Sequence, residues 1–186
     1  MSVTTRDSRD GPTRQKMLGI YLNDHLAGAT TGTELARRMV QEHQGSAYAG
    51  TLGKLSAEIS QDRQALLRLV ADLDLPIRRY KLYGAWLGEK ITRVKPNGRL
   101  LRRSGLTLLV ELETLRTGVQ GKASLWRSLL SASARDSRLD ADWLEQLLDR
   151  AEQQIQALDV LHARAAEALL SPATPSDAVA GKRAPT

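Results

Sequence analysis

The sequence predicts an all-α fold, a bundle of four helices wired as two antiparallel helical hairpins with a long crossover containing a short helix. Apolar residues recur at helical spacing in four stretches of matched length, each roughly 26 to 30 residues or about 40 Å at the helical rise. These stretches fall in two pairs, near residues 17–73 and 105–170, separated by about thirty residues that carry most of the positive charge. No strand pattern, heptad run or repeat stands out, and the absence of Phe suits an Ala/Leu core packed at shallow angles.

The first stripe is Leu18, Tyr21, Leu22, His25, Ala29, Ala36, Met39 and Val40, closed by Gly45 as a C-terminal glycine. Ser46 is placed to cap the second helix, whose stripe is Tyr48, Leu52, Leu55, Ile59, Asp62, Leu66, Leu69, Val70 and Leu73. Pro76 ends it, because the residue before a proline is pushed out of helical geometry. Arg79 to Ile91 then reads as the short amphipathic helix, with Leu82, Trp86 and Leu87 on its apolar side, and Pro96-Asn97-Gly98 breaks it. The third long helix carries Leu108, Leu112, Leu115, Val119, Ala123, Trp126 and Leu130. The fourth starts near Asp140 and carries Leu144, Leu147, Leu148, Ala151, Ile155, Leu158, His162, Ala165 and Leu169. Residues 1–14 and 172–186 are polar and contain Pro, so they read as disordered tails around one domain spanning 15–171.

Charge is concentrated in one place. Ile77 to Arg103 holds nine basic residues against Glu89 alone, a net +8, so with a total of +6 the rest of the chain sums to −2. Such a patch is most often a solvated surface, but it also steers anionic partners. Arg78, Arg79, Lys81, Lys90, Arg93 and Trp86 are therefore the candidate contacts for an acidic protein, a nucleic acid or a membrane surface. No zinc finger, helix-turn-helix or RNA-binding signature accompanies them, and no Gly-rich phosphate loop, Gly-x-Ser-x-Gly elbow or His-Glu-x-x-His motif is present. The absence of Cys excludes disulfides and thiolate chemistry and fits a cytoplasmic setting. No segment is apolar for long enough to span a membrane or to act as a signal peptide.

Placing residues at about 100° per step puts His25, Asp62 and His162 within stripes, with Glu58, Glu111 and Asp159 beside them. Glu34 and Glu113 project away. His25 and Asp62 fall at similar depths about the Gly45 turn, and Glu111 and His162 at similar depths about Asp136, so each hairpin has a candidate acid–histidine pair. A structural hydrogen-bonded pair is the ordinary reading of such groups. A metal-binding or proton-exchanging centre is the sharper one.

Tyr21 to Arg38, Val110-Glu-Leu-Glu113 and Gly118 to Trp126 resemble uncharacterised bacterial proteins with a ferritin-like fold, over about Met17 to Leu170. Ferritin-like di-iron proteins use one Glu from each of two helices and Glu-x-x-His from each of the other two. The resemblance implies that Asp159-Val160-Leu161-His162 stands for one such motif, with Asp replacing Glu. Glu58-Ile59-Ser60-Gln61 keeps the acid of the other and has Gln in place of His. Glu111 would supply the third helix's carboxylate, and Glu34 points the wrong way to supply the first. The implied metal site is a rearranged one drawing on His25, Glu58, Asp62, Glu111, Asp159 and His162, with iron or manganese as cofactor. If the second and third helices run parallel, Glu111 and Asp62 stand roughly 15 Å apart in height. Two functions compete: a metal-free interaction or regulatory module using the basic crossover, and a non-standard metalloprotein with oxidase or iron-handling activity. Leu26, Leu35 and Leu67 lie off the stripes and would serve a homodimer.

Overall fold

The computed structural model describes residues 7–77 and 105–171. They form α1 (Asp7–Glu42), α2 (Ala49–Asp72), α3 (Gly105–Ser133) and α4 (Ala141–Leu170), with no strand among the described residues. The expected crossover helix, and with it Arg78, Arg79, Lys81, Trp86, Lys90 and Arg93, lies outside the described residues, as do 1–6 and 172–186. α1 begins at Asp7, upstream of the expected boundary at residue 15, and carries Pro12 in its second turn at the loss of one intrahelical bond.

Burial follows a 3-4 spacing on three helices. The series is Leu52, Leu55, Ile59, Asp62, Leu66, Leu69 and Leu73 on α2, and Leu144, Leu147, Ala151, Gln154, Leu158, Leu161 and Ala165 on α4. On α3 it is Leu108, Leu112, Leu115, Val119, Lys122, Trp126 and Leu129, buried throughout except for the partly buried Lys122. This is heptad packing, and it is hard to see in the sequence because a polar residue, Asp62, Lys122 or Gln154, interrupts each series.

Both hairpins are antiparallel, α1 with α2 and α3 with α4. Tyr21 meets Ser128 at 3.4 Å and Arg38 meets Glu111 at 2.8 Å, so α1 and α3 are antiparallel and α3 runs parallel to α2. α2 and α4 meet over the shortest stretch.

The helix ends are fixed locally. Ser46 does not cap α2; its hydroxyl donates to His43 O at 2.8 Å and accepts from Tyr48 N at 3.2 Å, holding the α1–α2 turn while Tyr48 takes the N-cap position. α4 begins beside Asp140 as expected, and Asp140 caps it, accepting from Trp143 N at 3.0 Å. α2 ends in a Schellman motif: Leu75 N donates to Val70 O at 3.0 Å, Asp74 N donates to Ala71 O at 2.9 Å, and Asp74 takes the left-handed conformation at φ 52°. The buried Asn23 of α1 donates to Gly19 O at 2.7 Å and Pro76 O at 3.0 Å, tying the end of α2 to α1.

The off-stripe leucines turn inward. Leu26 and Leu35 are buried and Leu67 packs partly against the core, because α1 lies between α2 and α3 and is covered over a wider face than one stripe. They are not available as the expected dimer surface.

Replacing Asp74 by Gly removes the cost of a left-handed L-residue. Asp74→Gly should be neutral or stabilise by up to about 1 kcal/mol, and Asp74→Val should destabilise, both read from chemical-denaturation midpoints.

Candidate functional site

The three polar residues in the heptad series meet in one layer. Lys122 donates to Asp62 Oδ2 and to Gln154 Oε1, and Gln154 Nε2 donates to Asp62 Oδ2 at 3.1 Å and Glu58 Oε2 at 3.2 Å. The Arg150 guanidinium forms an ion pair with Asp62 Oδ1 but not a hydrogen bond, and its Nε has no acceptor. Asp62 is 1% exposed. Burial pulls the Lys122 ammonium below the ordinary lysine range, and Asp62 works against that shift. Lys122 and Gln154 were not singled out in the sequence, although the spacing of their apolar neighbours puts both on the core face.

The six expected ligands are distributed among different partners. Asp62 and Glu58 belong to this layer, and Lys54 stands 3.8 Å from Glu58. Asp159 is on the surface with Arg116, which holds its carboxyl below the usual range. His162 meets Glu113, not Glu111, at 3.0 Å, two residues along from the depth that symmetry about Asp136 suggests. Glu111 turns to Arg38 of α1. His25 is half-buried with its ring edge-on to Tyr21 at 4.6 Å, and burial lowers its pKa against the pull of Asp24. Glu34 is exposed and pairs with Arg37.

Among the described residues, the group of three whose ligand atoms all lie within 4.8 Å of one another is Glu42, His43 and Glu111, and only Glu111 is one of the six. Carboxylates held by Lys, Arg and Gln do not fit a dinuclear carboxylate centre, where they would bridge metal ions.

His25 and Asp62 do share a feature. Both line a groove of about 680 Å³ that runs between α1 and α3 with α2 beneath it. Ile59, Leu66, Leu115, Val119, Leu125 and the fully buried Trp126 give it an apolar floor. Gly28 and Gly32 of α1 and Gly118 and Gly121 of α3 line its flanks, and a Cβ built on any of the four meets no atom within 4 Å. At the layer where α2, α3 and α4 supply Asp62, Lys122 and Gln154, α1 lines the groove with the small residues Gly28, Ala29, Thr31 and Gly32, and the groove is the space left over.

Comparison of the chain with protein-family models, curated proteins and solved structures finds no match.

The layer should behave as a unit. Asp62→Leu, which strands the Lys122 and Arg150 charges, should cost about 3–5 kcal/mol in urea denaturation. Replacing Asp62, Lys122, Arg150 and Gln154 together by Leu, Met, Met and Leu should cost far less than the single change.

Proposed function

We propose that this chain is a helical binding module of ferritin-like wiring, without the dinuclear metal centre of that class, that holds an uncharged, mainly apolar small molecule in the groove between α1 and α3. The four groove glycines carry the reading. A glycine inside a helix costs roughly 0.5–1 kcal/mol relative to alanine, and here no packing contact offsets that cost. The empty space is what they maintain, and its volume lies in the range of small-molecule sites. The polar layer below is already balanced, with Lys122 and Arg150 facing Asp62 and Glu58, which favours a neutral occupant over an ion.

The parallel course of α2 and α3 supports ferritin-like wiring, since their ends then need a connection along the length of the bundle. The basic residues of that connection would give the module an anionic partner, and a cysteine-free chain suits the cytoplasm. An iron or manganese centre built on the six expected ligands would require Asp62, Asp159 and Glu111 to leave their lysine and arginine partners.

The neutral fluorophore N-phenyl-1-naphthylamine tests the reading. Its emission should rise on adding protein and saturate at one equivalent. Gly28→Leu and Gly118→Leu should weaken binding at least about tenfold, or ~1.4 kcal/mol, while Gly50→Ala and Gly53→Ala on α2, outside the groove, leave it unchanged. Gly28→Ala and Gly118→Ala should each stabilise the fold by about 0.5–1 kcal/mol. Equal probe binding by the wild type and both leucine variants would place the probe elsewhere and end the proposal.

A further inference from the structure

Away from the groove, one cluster of side chains combines a metal-like donor set with an unmet electrostatic need. Glu42 is the last residue of α1, His43 follows in the turn, and Glu111 stands near the start of α3. One donor atom from each lies within 4.8 Å of the other two. Arg38 occupies Glu111 Oε1 at 2.8 Å, but Oε2 is buried and has no hydrogen-bond partner. A buried acceptor left unpaired costs about 1–3 kcal/mol, more when charged, and such a group points to a partner the protein itself does not supply.

The helix end makes an independent case. A helix C-terminus carries partial negative charge and favours cations. α1 has no basic residue in its last turn and closes on Glu42. Its carbonyl end and the carboxylates of Glu42 and Glu111 therefore place three sources of negative potential together. Burial pushes the Glu111 carboxyl above the usual range; Arg38 opposes the rise and Glu42 adds to it. The backbone beneath His43 is held, with its amide donating to Met39 O at 3.0 Å and its carbonyl accepting from Ser46 Oγ at 2.8 Å.

We propose that Glu42, His43 and Glu111 form a site for a single divalent transition-metal cation, with zinc the best match. One imidazole and two carboxylates are a zinc donor set that leaves a fourth position to water. Arg38, on the other oxygen of Glu111, holds that carboxylate in orientation from outside the coordination shell. The site lies just outside the groove: Glu111 does not line it and precedes Thr114, the first α3 residue that does, by three residues or about 5 Å along the axis. It also differs from the expected dinuclear centre, with which it shares only Glu111.

Calorimetric titration of the chelator-stripped full chain with zinc chloride tests the site. One equivalent should bind at micromolar zinc and raise the thermal midpoint, because a cation that binds only the folded state stabilises it. His43→Ala and Glu42→Gln, both changes at the bundle's end, should each weaken zinc at least about tenfold, and Glu111→Gln should do the same. His25→Ala and His162→Ala should keep wild-type affinity. The proposal is overturned if zinc does not bind stoichiometrically, if His43→Ala and Glu42→Gln bind it as the wild type does, or if His162→Ala abolishes binding. Naphthylamine binding should be the same in the Glu42, His43, Glu111 and His162 variants, none of which lines the groove, so the two sites fail or stand separately.

Discussion

A single buried carboxylate sets the terms on which this bundle assembles. Asp62 is almost wholly removed from solvent, and a charge in that position is tolerated only if others come to it. Lys122 from α3, with Arg150 and Gln154 from α4, do so. The apolar residues of α2, α3 and α4 are mostly leucine and alanine and would pack acceptably in several registers. Sliding any of the three helices by a heptad would leave a lysine, an aspartate or a glutamine facing leucine. The polar layer thus supplies register at a cost in stability, the best-attested use of polar groups in helical cores. It also bridges α2 and α4, the neighbouring helices with the shortest stretch of contact.

The same layer accounts for the groove. A lysine and an aspartate that must reach one another across the bundle occupy its middle, and a large side chain from α1 there would wedge them apart or shield them from each other. Gly28, Ala29 and Gly32 avoid this, and Gly118 and Gly121 thin the facing helix as well. The core of α1 shifts instead to Leu22, Leu26, Leu35, Ala36 and Met39, which bracket the gap above and below. The helix is thus anchored at its two ends and spanned by a cleft between them. Its glycines are a sacrifice of helix propensity at the one level where the other three helices are committed to polar contacts. Stability given up locally without compensating contact is characteristic of sites held open for something else.

The fold was legible because the strongest signals were apolar and long. Every residue assigned to the α2 stripe is buried or packed on the core, α4 starts beside Asp140, and α2 ends short of Pro76. The site was less legible. On α4 the wheel selected Ile155 and His162, yet the buried positions are Gln154 and Leu161, one residue earlier in each case. A polar side chain counts against a core face in any hydrophobicity average, so a stripe interrupted by Gln154 drifts toward the nearest isoleucine. Lys122 was passed over for the same reason. The 3-4 spacing of Leu115, Val119, Trp126 and Leu129 on α3 would have found it had position been weighed before residue type. Hairpin depth failed more gently: Glu113, two residues from Glu111, has the reach to meet His162.

Where the carboxylates go also separates this chain's chemistry from that of a dinuclear bundle. In such a bundle the acids converge because two cations neutralise them, and a protein cation near them would compete with the metal. Here arginine or lysine stands by Asp62, Glu58, Asp159 and Glu111, so the protein supplies its own positive charge at each place. Neutralisation is incomplete at one of them. Arg38 contacts one oxygen of Glu111 from a long, half-exposed side chain and leaves the other bare, beside a carboxylate and the negative end of α1. The middle of the bundle is electrically closed and its α1 end is open. Charge balance is thus the common ground of the two proposals, a neutral ligand in the groove and a cation at the turn between α1 and α2.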